Sequence, residues 1–365
     1  MQPKVKHINK TMIATVEFDV RKIAKSRITE VDFANLPFGK HFSDHMFVAE
    51  FKDGQWQTPT IQPYDYIRMT PANATLHYGQ AIFEGLKAYK SENGEVAIFR
   101  PYENFKRFNA SAARMCMPEV PEEIFMQGLT ELINLDRDWV PNEERSSLYI
   151  RPFMFAADEL IGVRPSDTYK FIIFTCPVGA YYNAPVRVKI ENHYTRAVEG
   201  GTGTAKCAGN YATSLYPAQL AYKQGFQQLL WTDAQEHKYI EESGTMNVMF
   251  VIDNVLITAP LGGTILDGIT RKSVLDIARS WDMKVEERRI SVDELIESAK
   301  KGTLTEAFGT GTAATIANII EIGYEEKLYR LPEIENRVFS PKVLEELEGI
   351  RRGKIADTRN WMLTV

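Results

Sequence analysis

The sequence predicts an α+β fold divided into two domains. A chain of 365 residues is long for a single hydrophobic core. Helical and strand patterns are mixed in the first half, and a short segment without clear periodicity separates it from a differently patterned second half. We therefore predict an N-terminal α+β domain over residues 1–177, an interdomain linker over residues 178–185 and a C-terminal domain over residues 186–365.

In the first half, strand-like runs enclose two helical stretches. Residues 89–100 predict a hairpin, because Ser91-Glu92-Asn93-Gly94-Glu95 is typical of a turn and a strand pattern follows it. Residues 103–117 predict a helix that ends before Pro118, and a second helix opens at Pro121 and runs to about residue 135. Strands are predicted over residues 45–51, 147–155 and 169–176.

The second half also mixes helices with hairpins. We predict helices over residues 210–223 and 270–281, and a further helix after Ser291, which forms a capping-box pattern with Glu294. Asp253-Asn254 predicts the turn of a hairpin. Strands are predicted over residues 186–194, 228–232, 238–242, 248–252 and 255–259.

Charge and composition argue against several classes of protein. The formal net charge is −5, whereas proteins that bind nucleic acid by bulk electrostatics cluster Lys and Arg. The nearest basic run, Arg351-Arg352-Gly353-Lys354, follows acidic residues, so we interpret it as the solvated face of a terminal helix. No run reaches the roughly 20 apolar residues of a membrane span, and nothing near Met1 resembles a secretory signal. We therefore expect no nucleic-acid partner and no membrane attachment.

The three cysteines, Cys116, Cys176 and Cys207, show no CxxC motif and no ligand-like spacing with histidine. A disulfide framework and a structural zinc site are therefore not expected. This cysteine usage is typical of a reducing compartment, so we predict a cytoplasmic protein. His77 has no partner at a spacing typical of a metal site, and we expect no metal.

Lys206 is the first candidate for catalysis. It follows Gly200-Gly201-Thr202-Gly203-Thr204-Ala205, where small residues let a bulky ligand approach the backbone. A lysine amine can form an imine with pyridoxal phosphate, which would make Lys206 the catalytic residue. A lysine taken alone is far more often the exposed side chain of a loop.

Two nearby types of side chain would complete this chemistry. Tyr211 lies in the first turn of the predicted helix, where its phenol could reach the ring oxygen of a cofactor on Lys206. A carboxylate beside the pyridine nitrogen would keep that nitrogen protonated, and Glu241 and Glu242 are both candidates. Alternation along a strand points one of the two outward, and the spacing does not decide which. The ordinary alternatives are a half-buried helix tyrosine and a solvated strand-end glutamate.

Three further features suit a phosphate group. Arg107 lies on a predicted helix, and a guanidinium is the usual partner of a phosphate. Gly268-Ile269-Thr270 opens a helix whose first N–H groups are free, and Gly309-Thr310-Gly311-Thr312-Ala313-Ala314 is a Gly-rich turn suited to an anion. Solvated helix arginines and Gly-rich loops are nevertheless common.

Aromatic residues predict a pocket wall. Tyr149 and Arg151 alternate on a predicted strand and therefore share one face. With His77-Tyr78 and Phe83-Glu84-Gly85 they could line an apolar pocket that holds a few polar groups. Ordinary core packing is the alternative interpretation.

Five of these segments carry a resemblance to a known family. Leu76-His77-Tyr78-Gly79-Gln80-Ala81-Ile82-Phe83-Glu84-Gly85-Leu86-Lys87-Ala88-Tyr89 resembles the N-terminal signature of branched-chain amino acid aminotransferases. Four later segments resemble the rest of that family's pattern, in the same order: residues 206–211, 242–247, 266–271 and 309–314. The resemblance extends from about residue 38 to about residue 316, which is most of the chain.

The resemblance implies the D-amino-acid-aminotransferase-like fold (fold type IV), with a smaller N-terminal α+β domain and a larger C-terminal domain that has a β-barrel-like core. It implies that pyridoxal 5'-phosphate lies between the domains, bound as a Schiff base to Lys206, which also acts as general acid and base. It selects Glu242 rather than Glu241 for the pyridine nitrogen, and Tyr211 for the ring hydroxyl. The other implied cofactor-binding residues are Arg107, Thr245, Leu266, Ile269, Thr270 and Thr312.

The resemblance also implies a substrate pocket, a partner and a reaction. The pocket residues would be Phe42, Tyr78, Phe83, Tyr149, Arg151, Tyr181, Thr245 and Ala313, with Ile161 and Val163 reaching in from the partner subunit of a homodimer or higher oligomer. The reaction would be a reversible ping-pong transfer of the amino group of L-leucine, L-isoleucine or L-valine to 2-oxoglutarate, which gives L-glutamate. A D-amino-acid aminotransferase or an aminodeoxychorismate lyase of the same fold is the nearest alternative, and a binding protein without activity is another.

Overall fold

Two β-sheets divide the protein. A computed structural model describes residues 16–179 and 184–365, so the predictions for residues 1–15 and for Tyr181 lie outside the described residues. The strands are β1 (Asp19–Val20), β2 (His45–Lys52), β3 (Gln55–Trp56), β4 (Thr60–Pro63), β5 (Ala81–Phe83), β6 (Leu86–Lys90), β7 (Val96–Phe99), β8 (Ser147–Ala156), β9 (Tyr169–Val178), β10 (Val186–Ile190), β11 (Gln228–Thr232), β12 (Ile240–Ser243), β13 (Met246–Ile252), β14 (Val255–Thr258), β15 (Val285–Glu287), β16 (Leu304–Gly311), β17 (Thr315–Tyr324), β18 (Lys327–Arg330) and β19 (Met362–Thr364). The helices are α1 (Ala74–Tyr78), α2 (Pro101–Arg114), α3 (Glu122–Leu135), α4 (Ala208–Lys223), α5 (Ile269–Ser280), α6 (Val292–Lys301) and α7 (Phe339–Arg351), and short 3-10 helices occur at Ile28–Glu30, Arg137–Trp139 and Ile334–Asn336.

The first sheet has the strand order β1-β4-β2-β9-β8-β6-β7-β19, with β3 paired to β2 and β5 paired to β8. Its centre is the long antiparallel pair of β8 and β9, which runs from Ser147 opposite Val178 to Ala156 opposite Tyr169. Because side chains alternate along a strand, one face of this sheet is free to pack on helices. There the ring of Phe171 contacts those of Phe47, Phe108 and Phe125, with centroids 5.2–6.0 Å apart.

The second sheet closes into a six-stranded, barrel-like core. Its strand order is β12-β11-β10-β17-β16-β13-β14-β15, and β12 also pairs with β13, which completes the closure. Glu242 of β12 lies opposite Asn247 of β13, and Asn247 lies opposite Thr310 of β16. Three neighbouring strands therefore bring these polar side chains to one edge of the barrel.

The C-terminal segment returns to the first sheet. β19 pairs antiparallel with β7, with Met362 opposite Phe99, although it lies within residues 186–365 of the predicted second domain. The prediction that Arg351 and Arg352 form a solvated helix face was wrong. Arg351 donates to the Thr315 hydroxyl at 2.7 Å, and Arg352 donates to the Ser146 carbonyl. Both arginines are buried because α7 lies between the two sheets, whose polar atoms and aromatic rings replace water around the guanidinium groups.

The turn and capping signals of the second half are confirmed. Asp253 and Asn254 both have positive φ, which is the conformation that a tight hairpin turn between β13 and β14 requires. Ser291 caps α6, because its side chain accepts a hydrogen bond of 3.0 Å from the backbone N–H of Glu294. Local polar chemistry was therefore sufficient to place these two features.

Local interactions also explain why some strands and helices begin or end at residues other than those predicted. The strand predicted over residues 186–194 ends at Ile190, because the Glu191 carboxylate accepts hydrogen bonds from the backbone N–H groups of His193 and Tyr194 and turns the chain. Helix α2 begins at Pro101, two residues before the predicted start, since proline needs no hydrogen-bond acceptor at the first helical position. The hairpin of β6 and β7 forms as predicted.

Candidate active site

One cavity of about 440 Å³ is lined from both sheets and collects most of the predicted site residues. All the residues predicted to bind a cofactor line it: Arg107, Lys206, Tyr211, Glu242, Thr245, Leu266, Ile269, Thr270 and Thr312. The predicted substrate residues that line it are Phe83, Tyr149, Arg151, Thr245 and Ala313. Phe42, Tyr78, Ile161 and Val163 do not line it, and Tyr181 lies outside the described residues.

Lys206 is fixed by its backbone to β5 of the first sheet and to helix α2. Its carbonyl accepts a hydrogen bond of 3.0 Å from the N–H of Phe83, and its N–H donates to the Ser111 hydroxyl at 2.9 Å. The side chain enters the cavity, where Nζ donates to the Tyr211 hydroxyl at 2.8 Å and lies 5.0 Å from the centroid of the Phe83 ring. Helix α4 begins directly after this segment, so its first turn brings the Tyr211 phenol to the lysine amine.

Glu242 is a buried carboxylate at the edge of the barrel. Its Oε1 accepts hydrogen bonds from the N–H of Leu266 at 2.8 Å and from the Asn247 amide at 3.2 Å. Its Oε2 forms an ion pair of 3.1 Å with Nε of Arg196. Burial raises the pKa of the Glu242 carboxyl, and the Arg196 guanidinium offsets part of that increase. The group can therefore share a proton with a basic ligand atom.

Glu241 points away from the cavity, as alternation along β12 requires. Its Oε1 accepts a hydrogen bond of 2.6 Å from the Thr264 hydroxyl, and Glu241 is not among the residues that line the cavity. The two orientations that the sequence left open are thus distinguished geometrically, since only Glu242 faces the ligand space.

Arg196 is a site residue that sequence reasoning missed. It lies between β10 and α4 in no recognisable motif, and its guanidinium also donates to the carbonyl of Thr264. The strand-like pattern over residues 186–194 gave no signal for it, because the contact with Glu242 forms only when the barrel closes. A buried carboxylate generally requires such a cation, and this requirement predicts a basic side chain next to Glu242 without identifying which one.

Arg107 is not a solvated helix arginine. Its Nε and Nη2 donate to the two oxygens of Glu84 at 2.7 and 2.8 Å, and its Nη1 donates to the carbonyl of Asp267 at 3.0 Å. Burial alone would raise the pKa of the Glu84 carboxyl, but the bidentate Arg107 guanidinium, together with Lys206 and the Asn104 amide, outweighs burial and lowers that pKa. Glu84, whose role the sequence did not indicate, therefore fixes the orientation of Arg107 at the cavity.

Backbone and hydroxyl groups next to Arg107 form a cradle for an anion. Helix α5 begins after Gly268 without a side-chain cap, so the first N–H groups, including those of Ile269 and Thr270, are left for a ligand. A Cβ atom at Gly268 would collide with the Asn247 side chain, which explains the glycine. The buried Thr310 hydroxyl has no hydrogen-bond partner within residues 16–179 and 184–365, and Thr310 also lines the cavity. An unsatisfied buried hydroxyl beside free N–H groups fits a phosphate.

The cavity wall opposite the anion cradle combines aromatic rings with the Arg151 guanidinium. Arg151 donates from Nη2 to the Tyr149 hydroxyl at 2.9 Å and lies 4.6 Å from the centroid of the Phe83 ring. The ring of Phe38 meets that of Tyr149 edge to face at 5.1 Å, and Phe38 is a lining residue that sequence reasoning missed. A Cβ atom at Gly85 would overlap the Tyr149 hydroxyl, so this glycine lets the wall close.

Comparisons with known proteins agree with this geometry. The sequence profile of the family described as amino-transferase class IV matches residues 81–322. The chain therefore belongs to the class IV aminotransferases.

Within that class, the chain belongs to the branched-chain-amino-acid aminotransferase family. It is 44% identical to branched-chain-amino-acid aminotransferase 2 of Bacillus subtilis over 348 residues, which cover 94% of this chain and 96% of the relative. It is also 44% identical to branched-chain-amino-acid transaminase 1 of the same organism over 339 residues, which cover 92% and 95%.

Solved structures confirm the predicted fold class. The branched-chain aminotransferase of the archaeon Thermoproteus uzoniensis, solved with norvaline, has a TM-score of 0.72 and 26% identity, and the match covers 88% of this chain and 99% of that one. A branched-chain amino acid aminotransferase from T.th., complexed with N-(5'-phosphopyridoxyl)-L-glutamate, has a TM-score of 0.70 and 25% identity, with 86% and 97% covered.

The buried ion pair between Arg196 and Glu242 should contribute to the stability of the folded protein. In an Arg196→Met variant, Glu242 loses its cation and the free energy of unfolding should fall by about 3–5 kcal/mol at neutral pH. The folded-state pKa of Glu242 would rise further above its unfolded value, so the folded protein would bind more protons. The loss should therefore grow as pH rises from 5 to 8. Guanidinium denaturation curves across that range measure it.

Two variants control this experiment. Arg330→Met removes an exposed cation from its carboxylate partner, Glu321, and should change stability little. The double variant Arg196→Met/Glu242→Gln should recover part of the loss and should show a weaker dependence on pH. An Arg196→Met variant as stable as Arg330→Met at pH 8 would show that the pair is not needed.

Proposed function

We propose that the chain transfers the amino group of L-leucine, L-isoleucine or L-valine to 2-oxoglutarate, with pyridoxal 5'-phosphate as the cofactor on Lys206. The observation that carries this proposal is the joint placement of the Lys206 amine, the Tyr211 phenol and the Glu242 carboxyl in one cavity. A reversible ping-pong reaction giving L-glutamate follows from using one site for both half-reactions.

The residues present fit that cofactor at each of its polar groups. Arg107, the first N–H groups of α5 and the hydroxyls of Thr310 and Thr312 would hold the phosphate. Glu242 would hold the pyridine nitrogen, and its raised pKa suits a shared proton. Once bound, the cofactor supplies an electron-accepting ring conjugated to the reacting carbon.

Lys206 has two roles in this proposal. It would hold the cofactor covalently, and its amine, once released, would take the proton from the substrate α-carbon and return it at the other end of the conjugated system. The Tyr211 hydroxyl, 2.8 Å from Nζ in this structure, orients that amine and would donate to the ring oxygen. The backbone hydrogen bonds of Lys206 keep this geometry while the side chain moves.

Two kinds of substrate must share the opposite wall. The rings of Phe38, Phe83 and Tyr149 offer an apolar surface, and a methylene changes binding to such a surface by only about 1–3 kcal/mol, so three branched side chains can share it. Arg151 and the Tyr149 hydroxyl would receive the γ-carboxylate of glutamate. Among the described residues, Nε of Arg151 is buried without a hydrogen-bond partner, which supports a role for this guanidinium in binding an anion.

The alternatives differ in substrate handedness and in activity. The two relatives from Bacillus subtilis are named for branched-chain amino acids. They therefore do not favour a D-amino-acid aminotransferase or an aminodeoxychorismate lyase. The complete set of lysine, tyrosine, glutamate and arginine at the cavity argues against a binding protein without activity. We also propose a cytoplasmic location, on the cysteine usage alone.

An absorbance titration tests the half-reaction. Protein incubated with pyridoxal phosphate should show a visible band that shifts to shorter wavelength on addition of L-leucine, and this shift should reverse with 2-oxoglutarate. D-leucine should leave the spectrum unchanged. Lys206→Ala should lose turnover by several orders of magnitude, because both of its roles are removed.

Each outcome of the titration has a distinct meaning. A colourless protein after incubation would contradict the cofactor assignment. A coloured protein that responds only to D-leucine would favour the D-amino-acid alternative. A Lys206→Ala variant that turns over L-leucine at a near-normal rate would remove Lys206 from the mechanism.

We further propose a homodimer in which part of each pocket comes from the partner subunit. Ile161 and Val163 are 65% and 89% exposed, and Tyr78 is 38% exposed, so three large apolar or aromatic side chains that do not line their own cavity face outward. Helix α1 and the segment after β8 are tied together by a bridge between Asn73 and Glu159. Such an apolar group is typical of an interaction surface.

Complementation between two defective variants tests the shared pocket. Lys206→Ala inactivates its own site but can offer a normal Val163, whereas Val163→Asp keeps its own lysine but would place a charge in the partner's pocket. Coexpression should therefore produce mixed dimers with one normal site and measurable leucine transamination. As a control, Val338→Asp, at a residue 76% exposed, should keep full activity on its own. Coexpressed dimers as poor as Val163→Asp alone would contradict the shared pocket.

A further inference from the structure

A second, small cavity lies behind the anion cradle. It gives the centre of a water molecule about 10 Å³ of space, which is roughly what one water needs. Ile269, Thr270 and Thr312 line both this space and the main cavity, so the cradle forms the wall between the two. The far side of the small cavity is formed by the first sheet, α2 and α7, and its polar side chains are Lys87, Tyr89, Asn104 and Arg351.

Arg351 is a buried cation whose hydrogen bonding is incomplete. Its side chain is 2% exposed, and Nη1 donates to the Thr315 hydroxyl at 2.7 Å and to the Glu348 carboxylate at 2.9 Å. Its Nε is buried and has no hydrogen-bond partner in the part of the chain that the structure describes. Because a buried donor is normally paired with protein, ligand or ordered water, Arg351 requires a further acceptor.

The other polar side chains of the small cavity are hydrogen-bonded or remain neutral. Nζ of Lys87 donates to the Ala313 carbonyl at 2.9 Å, and the Asn104 amide donates to a buried carboxylate oxygen at 2.7 Å. Burial raises the pKa of the Tyr89 phenol, so this group adds no negative charge. The unmet need for an acceptor therefore belongs to Arg351.

The charges around the anion cradle also require a further cation. Arg107 is bound by both oxygens of Glu84, so this pair offers no net charge to a ligand. A phosphate monoester carries about −1.5 to −2 charge near neutral pH, and the N-terminus of α5 supplies only about half a positive charge. Excess positive charge lies on the far side of the cradle, where three buried cations adjoin one carboxylate: Lys87, Arg351, Arg352 and Glu348.

We propose that Arg351 is a positioning residue of the phosphate site, which acts from behind the anion cradle through a water molecule in the small cavity. The water accepts a hydrogen bond from the guanidinium and contacts the wall formed by Thr270 and Thr312. The charge of Arg351 stabilises the doubly ionised phosphate across that wall. This inference rests on the proposed function, because it requires pyridoxal phosphate in the main cavity.

The inference predicts the ionisation state of the bound phosphate. In water, the second ionisation of a phosphate monoester has a pKa of about 6. A nearby buried cation favours the dianion, so the bound phosphate should stay doubly ionised from pH 5.5 to 7. Burial first, and then the two arginines of α7, lower the pKa of Lys87 to about 8, so Lys87 keeps its proton across this range.

Phosphorus-31 NMR of the holoenzyme tests the inference, because the chemical shift of a phosphate depends on its ionisation. In the wild type, the shift should be constant from pH 5.5 to 7. In Arg351→Met, it should change with a midpoint inside that range, and the cofactor should be lost on dialysis about tenfold faster. Arg351→Lys keeps the charge and should keep the shift constant. A role in packing alone would speed the loss without changing the ionisation.

Arg352→Met is the matched control. Arg352 is also buried on α7 and pairs with Glu348, but it does not line the small cavity. Its phosphate signal should therefore match that of the wild type at each pH. A constant shift in Arg351→Met, a pH-dependent shift in the wild type, or equal pH dependence in Arg351→Met and Arg352→Met would overturn the inference.

A second variant applies if Arg351→Met does not fold. Glu348→Gln leaves Arg351 in place and removes the carboxylate that offsets its charge, so the cofactor should dissociate more slowly than from the wild type. Unchanged or faster dissociation would overturn the inference. A protein that takes up no pyridoxal phosphate would instead refute the proposed function.

Discussion

The site depends on a pair of hydrogen bonds that tie the backbone of Lys206 to β5 of the first sheet and to helix α2. The N–H of Phe83 in β5 donates to the carbonyl of Lys206, and the N–H of Lys206 donates to the hydroxyl of Ser111 in α2. These contacts fix where α4 begins, and so place Tyr211 next to the lysine amine. Because Lys206 lies between β10 of the barrel and α4, the same bonds also join the barrel side of the cavity to the side formed by β5 and α2.

Buried charges complete the site, and each has a specific partner. Glu84 orients Arg107, Arg196 neutralises Glu242, and Lys87 binds the carbonyl of Ala313. Removing one member of such a pair leaves an uncompensated buried charge, so these contacts constrain one another more than surface ion pairs do. The two buried carboxylates nevertheless differ, because the pKa of Glu84 is lowered and the pKa of Glu242 is raised. In Glu84 the bidentate contact with Arg107, together with Lys206 and Asn104, overcomes burial, whereas burial prevails in Glu242.

The sequence predicted the parts of the site that lie in short segments with distinctive chemistry. Lys206, Tyr211 and Glu242 stand in such segments and line the cavity. Arg196 was not predicted as a site residue, and Glu84 was predicted only as part of a pocket wall and not as the partner of Arg107. These contacts are fixed only by the closure of the barrel and by the packing of α2. The basic run at the C-terminus was misinterpreted for the same reason. Sequence pattern gave no sign that α7 would lie between two sheets, where Arg351 is surrounded by protein.

We propose that Lys206, among all the lysines of the chain, holds the cofactor. The most direct measurement is borohydride reduction of protein incubated with pyridoxal phosphate, followed by proteolysis and mass spectrometry of the peptides. Reduction converts a C=N bond to a stable C–N bond, so the modified lysine can be located. We expect the pyridoxyl group on Lys206 alone, and no specific label in a Lys206→Arg variant. Stoichiometric label on a different lysine, with Lys206 unmodified, would contradict the claim.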